Sequence, residues 1–293
     1  MIIKMKKVLS MYVLLSIIGL SNALSQIPTN GLLGYWPFIG NANDLSGNSH
    51  NGTVYGAVLT SDRFGDSNSA YSFNGVDNFI DLGLFEGYSS HTFTGWFKIS
   101  GQQNLYGTLV SKLYNDTHIF TNSEITVCQN YGTGYVINTQ LGTGSAWVGY
   151  PINSAPFDSI SWHHFVYSYN DSEKCVRTFL DNIMIDSILI TSASGYNDLE
   201  TIPIYLGARP NYQGSTAFFF NGLMDDIRIY NRALNQTEIT SLFNEKICYQ
   251  TITVTDTLII NVNLTGLYPV SYANTIKIYP NPAMDHIYID SDQ

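Results

Sequence analysis

Asn221-Gly222-Leu223-Met224-Asp225-Asp226-Ile227-Arg228-Ile229-Tyr230-Asn231-Arg232-Ala233-Leu234 is the stretch from which the fold is read. Its second half alternates: Ile227 and Ile229 fall on one face of an extended chain, Arg228 and Tyr230 on the other, so Leu223–Tyr230 reads as a long strand. Just after it Asn235 can cap a helix. Glu238 stands where its carboxylate can return a bond to the cap's N–H, and Ile239, Leu242 and Phe243 recur at helical spacing.

Toward the N-terminus, extended segments repeat without helices between them. Ala70–Phe73, Phe79–Leu82, Thr92–Ile99, Thr108–Lys112, Glu124–Cys128, Tyr135–Asn138, Trp162–Tyr169, Val176–Leu180 and Ile204–Leu206 are short alternating or apolar runs broken by Gly, Asn and Asp. Strands in such succession predict an all-β sandwich or barrel. Gly31 to about Glu245 is long enough for one domain with a large two-sheet core. Only 12% of residues are charged and 14% are aromatic, which suits short strands and many turns.

Several blocks in order carry a resemblance. They are Gly34-Tyr35-Trp36-Pro37-Phe38, Gly40-Asn41-Ala42-Asn43-Asp44 with Ser46-Gly47-Asn48, Asp62-Arg63-Phe64-Gly65 and Ala70-Tyr71-Ser72-Phe73-Asn74-Gly75. Trp162-His163-His164-Phe165, Phe179-Leu180-Asp181-Asn182 and the stretch 221–234 follow. Together they resemble the laminin-G-like jelly-roll family of the concanavalin A-like lectin/glucanase superfamily. The resemblance implies an all-β, two-sheet antiparallel jelly-roll sandwich over 26–246 with one short C-terminal helix. Near residue 182 that family usually has Gly; Asn182 tolerates the same left-handed turn.

The ends point to export. Lys4, Lys6 and Lys7 precede an apolar run from Val8 to Leu20 and small residues around Ala23 and Ser25, the pattern of a signal peptide over 1–25 that leaves Gln26 first. No Cys stands directly after the cleavage point, which argues against a lipid anchor, and no later run reaches the ~20 apolar residues of a transmembrane helix. Residues 247–272 read as a linker, within which the Thr/Val/Ile-rich alternating Thr251–Leu264 reads as a strand or a stiff connection. Ile278-Tyr279-Pro280-Asn281-Pro282-Ala283 with Asp285, Ile287, Tyr288 and Ile289 is similar to the start of the C-terminal sorting domain read by the type IX secretion machinery. That resemblance implies a truncated sorting domain over 273–293 and a secreted or cell-surface protein.

Function classes narrow by charge and by motif. The formal charge is −10, and loss of residues 1–25, with three Lys and no acid, takes it to −13. Such a surface disfavours nucleic acid and leaves cations and neutral glycans open. Glu86, Glu124, Glu173, Glu200, Glu238 and Glu245 are isolated, whereas a glucanase needs alternate carboxylates on one strand face to flank the scissile bond. No Gly-x-Ser-x-Gly elbow or zinc spacing is present, and His163 and His164, adjacent in a strand, point to opposite faces. A binding module is expected, and an enzyme is the weaker expectation.

Asp44, Ser46 and Asn48 place oxygens at alternate positions around Gly47, with His50 close behind to offer a carbonyl, and Asp225 and Asp226 repel each other unless a cation or Arg228 relieves them. The family resemblance implies a structural calcium joining an N-terminal loop to an Asp at the start of the last strand, here Asp225; with the residue reading, the expected ligands are Asp44, Asn48, His50, Asp225 and Asp226. For a glycan partner the candidates are Trp147, Tyr150, Tyr131, Arg209 and Tyr212, aromatic faces beside planar polar groups. A surface protein is the other expected partner, and an accessory or hydrolase role in a larger polysaccharide-degrading enzyme is a third reading. Of Cys128, Cys175 and Cys248, the first two lie in strand-like segments of one domain and could form a disulfide.

Overall fold

The computed structural model describes residues 27–85, 88–103, 106–112, 123–130, 134–142, 147–148, 156–190, 202–210, 216–245, 268–272 and 275–279, with backbone alone for 129–130, 147–148 and the last two segments. The strands are β1 (Leu32–Trp36), β2 (Thr53–Tyr55), β3 (Val58–Thr60), β4 (Ala70–Asn74), β5 (Phe79–Leu84), β6 (His91–Ile99), β7 (Gly107–Ser111), β8 (Ser123–Asn130), β9 (Gly134–Gly142) and β10 (Trp147–Val148). Then come β11 (His163–Asn170), β12 (Cys175–Leu180), β13 (Ile183–Leu189), β14 (Pro203–Leu206), β15 (Arg209–Pro210), β16 (Thr216–Ala217), β17 (Asn221–Tyr230), the helix α1 (Gln236–Phe243), β18 (Tyr268–Tyr272) and β19 (Thr275–Tyr279). Residues 30–239 form one compact unit; the other includes 240–245 and the hairpin β18–β19.

Within the first unit two antiparallel sheets pack face to face. One runs β13-β12-β11-β6-β17-β4-β3 with β1 also on β17, and the other runs β10-β9-β8-β7-β14-β5-β2. This is the jelly-roll sandwich, and every strand read from the sequence is present within a few residues of its expected bounds. Alternation explains the layers: Trp36, Phe73, Phe93, Phe97, Phe165, Ile227 and Ile229 of the first sheet meet Ile80, Leu82, Ile125, Val127, Ile137, Ile204 and Leu206 of the second in one buried core.

The stretch 221–234 is the seam of the first sheet. The first half of β17 pairs with β4, its second half with β1, and β6 runs along its other side. A bulge interrupts the β6 register between Asp225 and Arg228, with Asp226 at φ +48°. Between β12 and β13, Asp181 and Asn182 both have positive φ (49° and 67°), as a two-residue hairpin turn of type I′ requires. After β17, Glu238 N–H donates to Asn235 Oδ1 (3.0 Å) and Asn235 N–H to Glu238 Oε2 (2.9 Å), the reciprocal cap expected at the start of α1.

The expected Cys128–Cys175 disulfide is absent: both thiols are free and buried. Their neighbours Val127 and Val176 point into the core, so Cys128 on β8 and Cys175 on β12 point outward from opposite sheets. Two sheets ~10 Å apart then separate the sulfurs, far beyond bonding reach. Cys248 lies outside the described residues, as do residues 1–26, on which the expected signal peptide falls, residues 246–267, which hold most of the expected linker, and the chain after Tyr279.

Candidate functional site

The two aspartates that open the second half of β17 are both 1% exposed and share one cation. In a regular strand neighbours face opposite ways; the bulge and the left-handed Asp226 turn both carboxylates toward Arg63. One Arg63 Nη donates to Asp225 Oδ2 at 2.6 Å and also to Asp226 Oδ2, while Tyr35 O–H donates to Asp226 Oδ1 at 2.8 Å. The guanidinium lies between the rings of Phe64 and Trp96, 4.4 and 4.8 Å from their centroids, and Arg228 sits 3.9 Å over Tyr35. Burial and the neighbouring charge of Asp226 raise the Asp225 carboxyl well above its ordinary range. Burial also acts upward on Asp226, but Arg63 and Arg228 outweigh it and hold that group low. The sequence reading offered a cation or Arg228 as the neutralising charge; Arg228 does help to hold Asp226 low, and Arg63, which that reading did not name, pairs with both carboxylates.

Asp44 organises a loop. Its Oδ1 accepts the N–H groups of Tyr35 (2.9 Å) and Ser46 (2.8 Å), and its Oδ2 accepts Ser46 O–H (2.9 Å) and His50 N–H (3.0 Å). The His50 carbonyl takes the Trp36 indole N–H, and the Asn48 amide donates to the carbonyls of Leu32 and Leu33. These oxygens are engaged by protein donors, and among the described residues no three His, Cys, Asp or Glu side chains come together as metal ligands. Of the expected calcium ligands, both Asp44 oxygens, the His50 carbonyl and both Asp226 oxygens thus already meet protein donors in this fold.

The two histidines of β11 face opposite sides. His163 packs on Phe97 and Phe157 and has Nδ1 2.8 Å from Asp181 Oδ2; burial opposes its charge, but Asp181 and Asp158 win and raise its pKa. His164 lies against Trp96 with Nε2 3.0 Å from Thr94 Oγ1, and burial first, then Arg63 and Arg228, push its pKa down to about 3.

The outward face of the seven-stranded sheet carries a different arrangement. Direct cross-strand register lines up Thr53, Asp81, Tyr205, Ser111, Glu124 and Gln140 across β2, β5, β14, β7, β8 and β9. The residues between them, Ile80, Leu206 and Ile125, face the core, so this row faces away from it. At one end Tyr55 stacks on Phe79 (centroids 4.4 Å apart, planes 9° apart), and Phe79 meets Tyr205 at 4.9 Å. Tyr55 is on the edge strand and keeps 47% of its surface exposed with one ring face already covered, which leaves the other face to solvent. Asp81 sits between Thr53 and Tyr205 in register and accepts the Gly83 N–H (2.8 Å); burial raises its pKa.

In the middle of the row, Arg209 Nε and Nη2 grip the two oxygens of Glu124 side by side (Nε to Oε1 3.0 Å). Thr108 O–H adds a third bond to Oε1, and Phe218 covers the guanidinium at 4.2 Å. Arg209, expected among ligand-contacting residues, is thus buried in an ion pair. Trp147 stands opposite Gly142 at the far edge of the same sheet, while Tyr131, Tyr150 and Tyr212 lie outside the described residues. The sequence reading missed Tyr55, Phe79, Asp81 and Tyr205. The alternation Phe79-Ile80-Asp81-Leu82 gives their face, but β2 is only three residues long and its pairing with β5 is not visible in one dimension.

Comparison with known proteins agrees with this architecture. No curated protein sequence matches significantly. Among solved structures, domain 4 of AbnA, an extracellular arabinanase of Geobacillus stearothermophilus in complex with arabinotriose, is 19% identical with a TM-score of 0.55, covering 73% of this chain and 98% of that one. The binding domain of Paraclostridial Mosquitocidal Protein 1 is 20% identical (TM-score 0.54), and that of Botulinum Neurotoxin DC in complex with SialylT is 16% identical (TM-score 0.51). Each match covers 74% of this chain, which spans about half (52%) of each toxin domain's length. At these identities the likeness is one of fold. The laminin-G family model described as the concanavalin A-like lectin/glucanases superfamily matches residues 73–240, more than half of the sequence and most of both sheets, and the chain belongs to that family.

Proposed function

We propose that the chain is a carbohydrate-binding module that works outside the cell and carries no catalytic centre of its own. The observation that supports it best is the stack Tyr55–Phe79–Tyr205, an aromatic platform with one ring face open and Asp81 and Thr53 beside it. Sugars bind to proteins through an aromatic face and a few planar or hydroxyl groups that meet their hydroxyls, and this edge of the sheet supplies both. Domain 4 of AbnA, which the fold covers almost whole, is in complex with arabinotriose, and the Botulinum Neurotoxin DC binding domain, about half covered, is in complex with SialylT, which makes a glycan the natural first ligand to test. Export rests on the signal peptide over 1–25, and delivery through type IX secretion on the Tyr279-Pro280-Asn281-Pro282 segment. No helix among the described residues is long and apolar enough to cross a membrane.

The test is a glycan array probed with the purified protein and with Tyr55→Ala and Tyr205→Ala variants. Binding to at least one glycan, lost or weakened tenfold or more in the Tyr55→Ala variant, is expected. A blank array, or binding indifferent to both substitutions, overturns the reading.

A further inference from the structure

We propose that the Tyr55 platform takes the uncharged end of a neutral glycan, stacked on the free ring face with its hydroxyls directed to Asp81 and Thr53, and rejects acidic sugars. This rests on the carbohydrate-binding reading above and adds the ligand class. The charges this face presents decide the class. Acidic sugars are held by cations, above all by the planar fork of Arg, which matches a carboxylate with two parallel hydrogen bonds. On this face the fork of Arg209 is already filled. Glu124 takes Nε and Nη2 together, Phe218 covers the plane, and the side chain is 7% exposed.

The neighbouring cation, Lys112, is turned inward. It is fully buried, donates to the Phe85 carbonyl at 2.9 Å and lies over the Tyr88 ring. Asp81 remains as an ionisable group beside the platform, and among the described residues no Lys or Arg pairs with it. A carboxylate is an acceptor for sugar hydroxyls and repels a second carboxylate. The rest of the molecule adds to this, with 23 Asp and Glu against 13 Lys and Arg. Thr53 and Tyr55 are two residues apart on one strand, roughly 7 Å along the same face, so stacking and hydrogen bonding fall within reach of one sugar unit.

The experiment compares matched probes by calorimetry at pH 8 and low salt: neutral glucan and galactan hexasaccharides against glucuronate and galacturonate hexasaccharides. Proteins are the wild type, Tyr55→Ala, and Asp81→Asn, each checked for an unchanged melting temperature. The expected result is binding of a neutral hexasaccharide, a uronate counterpart at least tenfold weaker, and loss of neutral binding in Tyr55→Ala. Asp81→Asn should narrow the gap between neutral and acidic probes by strengthening the acidic one. A uronate bound as tightly as its neutral counterpart, with that binding lost in Tyr55→Ala, overturns the ligand class while the glycan reading stands. Failure of every probe on this panel and on the array takes both away.

Discussion

Replacing Arg63 with Ala is the most informative perturbation of the fold. The side chain is 5% exposed and its two partners 1%, so the substitution strands two carboxylates side by side in a water-poor site. Removing one partner of a buried ion pair costs about 3–5 kcal/mol, a large part of the ~5–15 kcal/mol that holds a domain folded. The loss also carries a pH signature. In the wild type Asp225 is raised and Asp226 is held low by Arg63 and Arg228; without Arg63 both carboxyls move up. A carboxyl whose folded pKa lies above its unfolded value stabilises at low pH, and that contribution is lost as the pH rises through the folded pKa. The defect should therefore grow with pH above about 4, by up to ~1.4 kcal/mol per unit for the one additional proton held. Urea unfolding at pH 5 and pH 8 reads it: with a slope of about 2–3 kcal/mol per molar, the midpoint should fall by roughly 1–2 M, more at pH 8. Adding Asp225→Asn should recover part of the loss. A midpoint shift under ~0.3 M, equal at both pH values, would refute the clamp and make Arg63 an ordinary surface residue.

The wild-type acid limb is a second prediction. His91 is fully buried with a pKa near 3, lowered by burial first and by Lys112 second, and His164 behaves alike. A depressed histidine leaves the unfolded chain to take the proton as pH falls below ~6.5, so each contributes about 1.4 kcal/mol of lost stability per pH unit between ~6.5 and ~3. His163, raised by Asp181, acts at higher pH, where its contribution fades as the pH rises through its folded pKa. Asp225 opposes the acid limb, so the difference is what counts: His91→Gln should flatten the stability-versus-pH slope by about 1.4 kcal/mol per unit, and an unchanged slope in chemical denaturation would count against a neutral buried imidazole. Third, Asn235→Ala removes the helix cap and should cost about 1 kcal/mol, seen as a lowered melting temperature; no change would mean the reciprocal bonds with Glu238 carry no stability.

What the sequence revealed and what it hid follow from the range of the interactions. Strands announce themselves through the period-two pattern of their own residues, which is why β4 to β9, β11, β12, β14 and β17 were legible, and why the Asn235–Glu238 cap could be named to the atom pair. Short strands carry too few alternations: β2 and β3, three residues each, gave no signal. The cysteine pairing failed because two strand residues of one domain can face opposite exteriors, and only the sheet order decides.

The partner of Asp225 and Asp226 that the sequence reading left unnamed is the sharper lesson, because it lay inside the quoted blocks. Asp62-Arg63-Phe64-Gly65 and Met224-Asp225-Asp226-Ile227 were recognised separately, 162 residues apart, as marks of one family. Two adjacent acids in a buried strand demand a positive charge, and Arg228 is the nearest in sequence, yet simple alternation would put it on the same face as Asp226 and opposite Asp225. One cation can meet both carboxylates only if the strand breaks its alternation, and it does, at the bulge between Asp225 and Arg228. Arg63 then enters from a loop outside the sheet, where Trp96 and Phe64 hold its plane. The loop containing Asp62, the central strand β6 through Trp96, and the seam strand β17 are thereby tied at one point, on the side of the sandwich away from the Tyr55 platform. Substitutions at the clamp should therefore lower stability and leave the glycan specificity of the surviving folded protein unchanged, whereas substitutions at Tyr55 should do the reverse. A clamp variant that stays folded but changes its preference between neutral and acidic hexasaccharides would show that the two faces are coupled through the core.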